Sequence, residues 1–280
     1  VDAPFQDASY LHNPLFVYRI TNKPVKCGIE GYNCMSEYRD RKQVELDVQR
    51  LSLNKASSSK LNKRIRKILQ ANPDLHYYQG FHDIAQHTKS TKQLEQLAFN
   101  HLRDFLATDF QPTLQILQLV PELLVLADPD AVGKQIQGQN SDMIYKGLFA
   151  VSPIITLFSH TCDDPQLITH IIQKVLKHGI SYSIYLFVAL CVQPDCRTLI
   201  LEASDPDEIY MALINVGSKL DMENISIVEM HANKIKSQHP LSSLESFSQI
   251  SQYSVLRTGS LTNTKTVMFT VRQIGRPQSR

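Results

Sequence analysis

An all-α domain is the fold class this sequence predicts, and three observations predict it. Apolar residues recur at helical spacing through most of residues 40–235, strand-like alternation is scarce before residue 260, and several segment boundaries carry helix caps and helix-initiating prolines. Short loops joining segments of 10 to 16 residues are what packed helical folds show, and no fixed-period repeat is present.

The elements follow in order. Residues 1–37 hold Pro4, Pro14, Pro24, Gly28 and Gly31 without a sustained period, so they read as an irregular lead-in. From about Asp40 the register becomes helical, with Val44, Val48 and Leu51 on one face. After the serines at 57–59 comes a second stripe, Leu61, Ile65, Ile68 and Leu69, stopped by Asn72 and Pro73. Further helical patterns occupy residues 94–106, 113–125, 143–158, 165–178, 182–192, 206–218 and 226–235. Asp163, Asp164 and Pro165, like Ser204 to Glu208, supply caps, first-turn acids and a first-turn proline. From 237 the composition shifts to Ser, Gln and Thr, so residues 237–280 are expected to be a disordered tail with too little apolar surface to offset ordering entropy.

Composition bounds the function. A formal charge of +2 over 280 residues and a pI near 8.2 give no global field for nucleic acid or an anionic membrane. The longest apolar runs are about half the ~20 residues that a spanning helix needs, so no transmembrane segment is expected. The five cysteines, with no Cys-x-x-Cys pair, argue against a disulfide framework or a zinc ribbon and for a reducing cytoplasmic compartment. Cys191, inside an apolar run, reads as a buried free thiol.

Two basic or metal-like clusters carry little. Lys60, Lys63, Arg64, Arg66 and Lys67 read as a solvated helix face, and no aromatics interleave them as in single-strand binders. His76, His82 and His87 beside Asp83 are spaced six and five apart, which is not the spacing of helical metal ligands. There is no phosphate-binding glycine loop of the P-loop type and no nucleophile elbow, so no metal site and no resident cofactor are expected.

The informative stretch is Tyr77-Tyr78-Gln79-Gly80-Phe81-His82-Asp83-Ile84. Read as part of a helix, it holds a glycine that weakens it by about 1 kcal/mol relative to alanine. A close approach by a partner's backbone would explain Gly80, and a fixed outward carboxamide would explain Gln79. Asp47 and Arg50 stand three apart on the first helix, an ordinary ion pair taken alone. Together with Gln79 they are more specific, because GTP hydrolysis uses an arginine to neutralise phosphoryl oxygens and a carboxamide to orient the attacking water.

On these residues the chain resembles the TBC domain of GTPase-activating proteins for Rab-type small GTPases. The family's Ile-x-x-Asp-x-x-Arg motif is similar to Val44 through Asp47 to Arg50, and its Tyr-x-Gln-Gly motif to Tyr77-Tyr78-Gln79-Gly80. The resemblance covers residues 38–236. It implies a Rab partner that brings its own GTP and Mg²⁺, with Arg50 and Gln79 supplied in trans as catalytic fingers, so the chain is an activator rather than an enzyme in its own right. It also implies that Asp47 holds Arg50, that Tyr77 and Gly80 shape the backbone around Gln79, and that Asp83 supports the site or meets the partner. His76 to Ile84 with His101-Leu102-Arg103-Asp104-Phe105 most resembles the branch of the endoplasmic reticulum acting in early secretory traffic, so localisation at endoplasmic reticulum or Golgi membranes through peripheral association is the expectation.

The chain departs from the family in two places. It lacks tryptophan, with no counterpart of the family's N-terminal Arg-Trp motif in residues 1–37, and the polar run Ala85 to Lys92 replaces a long apolar helix after Ile84. Both departures support an alternative expectation, a TBC-shaped helical binding or scaffold protein in membrane traffic that binds a partner without accelerating hydrolysis. In the blandest reading, Arg50 and Gln79 are merely surface residues of a helical scaffold.

Overall fold

The structure, a computed structural model, describes residues 40–258 apart from 73 and 140. The segment expected to be irregular at 1–37 and the part of the expected tail from 259 onward lie outside the described residues. Within them the chain forms α1 Arg41–Arg50, α2 Lys55–Ala71, α3 Phe81–Gln86, α4 Thr91–Asn100, α5 Gln111–Leu117, α6 Leu119–Ala127, α7 Val132–Gln137, α8 Asp142–Tyr145, α9 Val151–Ile155, α10 Pro165–His178, α11 Ser181–Cys191, α12 Pro194–Glu202, α13 Pro206–Asn215, α14 Ile225–Gln238 and α15 Val255–Thr258. Among the described residues there is no strand, so the all-α class holds.

The caps read from the sequence are present. Asp164 accepts from the Gln166 N–H at 2.8 Å, and Asp205 accepts from Asp207 and Glu208 at 3.0 and 2.8 Å, each ahead of a proline in the first turn. Asn54 and Ser90 cap α2 and α4 in the same way. The helix α11 is apolar all round, and every residue from Ser183 to Cys191 is buried. It is the spine of the core, packed against α6, α10 and α14, as a helix without a polar face must be.

Two long patterns break for identifiable reasons. The stripe at 113–125 divides at Gln118 because Pro121 in α6 has no N–H to offer Leu117, four residues back, and its ring crowds that carbonyl. The stripe at 143–158 divides at Gly147, whose φ of 68° is left-handed, and its last pieces are a 3-10 turn at Leu148–Ala150 and α9. The helices α7 and α12 lie where the sequence reading placed none; α12 starts on Pro194 and buries only Cys196 and Ile200.

The disordered tail expected from 237 is corrected for residues 237–258. The helix α14 runs to Gln238, and Leu241, Leu244, Ile250 and Val255 are buried beyond it. Polar anchoring supplements that sparse apolar set. Asp104 accepts from the Ser254 hydroxyl at 2.7 Å and the Val255 N–H at 2.9 Å, Arg103 donates to Thr258 Oγ1 at 2.6 Å, and Glu122 accepts the Ser246 N–H at 3.0 Å. An apolar count alone does not register such anchors.

The polar run after Ile84 is an ordered turn. Thr88, buried, donates to the Ala85 carbonyl at 2.7 Å and accepts from Arg64 at 2.6 Å, while Ser90 opens α4. Thus α3 ends after six residues, as the sequence suggested, and Arg64 ties it to α2. Of the basic run only Lys60, Lys63 and Lys67 form an exposed face; Arg64 and Arg66 are half-buried. Cys162, Cys191 and Cys196 are free and buried, and burial pushes the thiols of Cys162 and Cys196 up to about 11. Cys27 and Cys34 lie outside the described residues. No single described helix is long and apolar enough to cross a membrane.

His101 contributes to the acid sensitivity of this fold. It is 1% exposed, and neither ring nitrogen has a hydrogen-bond partner. Burial, reinforced by Arg103, lowers its pKa from 6.5 to about 4. The unfolded chain therefore takes up this proton near 6.5 while the folded chain resists it until about 4. The stabilisation is complete above 6.5 and is lost as pH falls towards 4, each pH unit of that interval costing about 1.4 kcal/mol. In denaturant melts, His101→Leu should lose less stability than wild type between pH 6.5 and 4, and parallel pH curves would refute this.

Candidate functional site

The site is built around the buried carboxylate of Asp47. On α1 it faces inward with Val44 and Val48 and is 0% exposed. Such a charge must be paired and hydrogen-bonded. Gln43, one turn earlier, donates its amide to both carboxylate oxygens at 3.0 Å, and Arg50 Nη1 donates to Oδ1 at 2.9 Å from the last residue of the helix. The Tyr77 hydroxyl donates to Oδ2 at 3.0 Å from the other side. Asp47 is enclosed while the Arg50 side chain is 65% exposed, so the carboxylate fixes one edge of a guanidinium whose remaining donors face outward.

The second arm is the loop after α2. It is not helical: residues 75–78 are extended or irregular, and Gly80 is the residue before α3 at φ 110°. The reading of Gly80 as a glycine inside a helix is corrected accordingly, and what crowds the position is a side chain of the same chain rather than a partner's backbone. A Cβ at Gly80 would sit 2.7 Å from Thr156 Cγ2, a distance that real contacts do not allow. The loop is tethered on both sides. The Tyr77 N–H donates to Asp40 Oδ2 at 3.0 Å, the Tyr78 hydroxyl to the Ile155 carbonyl at 2.6 Å, and the His76 N–H to the Leu106 carbonyl at 2.7 Å. Tyr78 also packs on Phe81 and edge-on to Phe105. Between these tethered neighbours Gln79 is exposed, and its carboxamide bonds to no described residue.

Electrostatics keep the supporting groups neutral. Burial, with Asp47 second, raises the Tyr77 phenol far above its ordinary value, and burial with Asp83 raises Tyr78, so both retain their protons. Burial lowers the pKa of His82, although Asp83 and Asp47 pull the other way. Asp83 lies between two histidines, with His82 Nε2 at 3.3 Å and the exposed His160 Nδ1 at 3.5 Å. Among the described residues no three His, Cys, Asp or Glu side chains are placed to share a metal ion.

An exposed guanidinium and an exposed carboxamide thus share one buried scaffold, since Asp47 holds Arg50 directly and reaches Gln79 through Tyr77, two residues before it. A model of the Rab-GTPase-TBC domain matches residues 22–197, more than half of the chain and including both arms. The chain belongs to that family. The match starts at 22, upstream of the boundary at 38 taken from the resemblance, and stops at 197, before α13 and α14.

The TBC domain also has relatives of known sequence. Over 244 residues it is 30% identical to the GTPase-activating protein gyp10 of Schizosaccharomyces pombe, covering 79% of this chain and 62% of that protein. It is 32% identical over 162 residues to TBC1 domain family member 20 of Bos taurus, covering 51% and 38%, and 31% identical over 154 residues to its Homo sapiens counterpart, covering 49% and 37%. The matched part is less than two thirds of the length of each of these relatives.

The structure brings the six residues singled out by sequence into this one assembly: Asp47 and Arg50 on α1, Tyr77, Gln79 and Gly80 in the loop, and Asp83 on α3. It adds Gln43, Thr156, His160 and His82. Only Gln43, one helical turn from Asp47, and His82, inside the motif segment, had a sequence signal that could have marked them. Thr156 and His160 are distant in sequence and carry none.

Gly80 is the residue of the motif loop with no room for a side chain. Gly80→Ala should destabilise the domain by about 1–3 kcal/mol from the left-handed backbone alone, with more from the Thr156 contact. Pairing it with Thr156→Ser, which removes Cγ2, should recover part of the loss in a thermal melt. A double variant no more stable than Gly80→Ala would show that the contact is not what selects glycine.

Proposed function

We propose that this TBC domain is a GTPase-activating module for a Rab-type small GTPase, to which it supplies Arg50 and Gln79 in trans. The observation that carries this reading is the contrast at Asp47: the carboxylate is 0% exposed while the guanidinium that it fixes is 65% exposed, beside a loop on which the Gln79 side chain is exposed. The gyp10 relative, a GTPase-activating protein by name, points the same way.

In this reading GTP and Mg²⁺ arrive bound to the partner. Charge spreads over the transferring phosphoryl oxygens in the transition state, and the outward donors of Arg50 neutralise it. The Gln79 carboxamide accepts from and donates to the attacking water, fixing it in line. Asp47 and Tyr77 hold both groups before the partner docks, so little ordering entropy remains to be lost at the moment of reaction. The chain meets its partner at a membrane surface by peripheral association, on the cytoplasmic side of early secretory compartments.

Single-turnover GTP hydrolysis by a panel of Rab proteins tests this. Arg50→Ala should lower stimulated turnover by about 10³- to 10⁵-fold, and Gln79→Ala should also abolish most of it. Equal stimulation by wild type and both variants would refute the roles of these residues. Binding to a GTP-loaded Rab without acceleration would instead establish a TBC-shaped binding protein.

A further inference from the structure

We propose that His82 is a positioning residue that couples the Arg50 arm to the Gln79 arm, an inference that rests on the two-finger reading above. His82 stands on α3, is 6% exposed, and has both ring nitrogens engaged. Its Nδ1 lies 2.7 Å from the Tyr77 hydroxyl oxygen and 3.4 Å from the backbone nitrogen of Gly80, the residue that follows Gln79. Its Nε2 lies 3.3 Å from Asp83 Oδ1. No other described side chain reaches both the Tyr77 hydroxyl, which serves Asp47 and thereby Arg50, and the Gly80 amide.

One imidazole proton must be divided among these contacts. With the proton on Nδ1, His82 donates to the Tyr77 oxygen and Tyr77 donates to Asp47, so the Arg50 holder is fully bonded. With the proton on Nε2, His82 donates to Asp83, Nδ1 accepts from the Gly80 N–H, and the single Tyr77 hydroxyl proton is shared between Asp47 Oδ2 and Nδ1. The first arrangement completes the bonding of the Arg50 holder and the second supplies the acceptor for the Gly80 N–H, so the position of one proton links the two arms. An apolar residue here would leave the Gly80 amide and the Tyr77 oxygen buried without this partner, and the loop would lose the tether nearest to Gln79. The ring also packs against Tyr77, with centroids 6.3 Å apart.

The test separates Nδ1 from bulk. Asparagine places an amide near the position of Nδ1, whereas glutamine extends towards Asp83 and vacates it. In single-turnover assays with a responsive Rab at saturating activator, His82→Gln should lower the stimulated rate by roughly 10²-fold, the scale of a small misplacement of a catalytic group, with half-saturation near wild type. His82→Asn should recover most of the rate, and both variants should melt as cooperatively as wild type by circular dichroism. Hydrogen exchange gives a readout independent of activity: the Gly80 amide should exchange faster in His82→Gln than in wild type or His82→Asn. A wild-type rate in His82→Gln, equal rate losses in both variants, or unchanged exchange at Gly80 would overturn the proposal. If wild type stimulated no Rab, the two-finger reading would fall while the exchange measurement still decided whether His82 holds the loop.

Discussion

The enclosed carboxylate of Asp47 is the constraint on which the site depends. A charge with no exposed surface is tolerated only if its lone pairs are filled, and Asp47 fills them from two directions. Gln43 and Arg50 come from its own helix, while Tyr77 comes from a loop thirty residues away. The first two contacts depend only on α1 being a helix, since i−4 and i+3 are neighbours on its surface. The third exists only if α1 and the loop are docked, so satisfying one carboxylate fixes the relation between the two arms. Removing it would leave an arginine with no anchor and a tyrosine hydroxyl with half its bonding.

Around that point the fold divides its labour. The apolar helix α11 organises the core with α6, α10 and α14. The loop bearing Gln79 is placed by local polar contacts with the pieces around it: Asp40 before α1, Leu106 after α4 and Ile155 at the end of α9. These contacts come from three separate parts of the chain. The anchors at Arg103 and Asp104 extend the chain of contacts to residues 253–258, because they flank the same short segment whose Leu106 carbonyl receives His76. A stretch that composition marks as too polar to fold is thereby joined to the wall behind the motif loop.

Sequence made the helices with one apolar face legible, because a 3.6-residue period and a cap are local properties. The starts of α10 and α13 could be read from Asp-Pro pairs, and α1 and α2 from their stripes. What escaped depends on partners. Gln118 breaks a continuous stripe because of a proline four residues past Leu117, and α12 has only two buried residues with which to show a period. Residues 240–258 escaped because their order comes from Glu122, Arg103 and Asp104, far away in sequence. In the site, the residue types at 47, 50, 77, 79, 80 and 83 could be read as a motif, whereas the wall at Thr156 and His160 could not.

That wall also explains why the site can be rigid although its loop is short. Leu157 and Phe158 both have left-handed backbones, at φ 51° and 64°, and neither is glycine. Each such residue is disfavoured by about 1–2 kcal/mol, so two in succession persist only where packing dictates them. Both side chains are fully buried, a gain of roughly 1.5–3 kcal/mol each, which is enough to offset the strain. The Phe158 N–H is held by the Pro153 carbonyl at 2.8 Å. The reversal sits between the residues that meet the Gln79 loop: Ile155 and Thr156 before it contact Tyr78 and Gly80, and His160 after it faces Asp83. Core burial is thus what places the back of the site, and the exposed carboxamide of Gln79 inherits its position from a strain that the interior maintains.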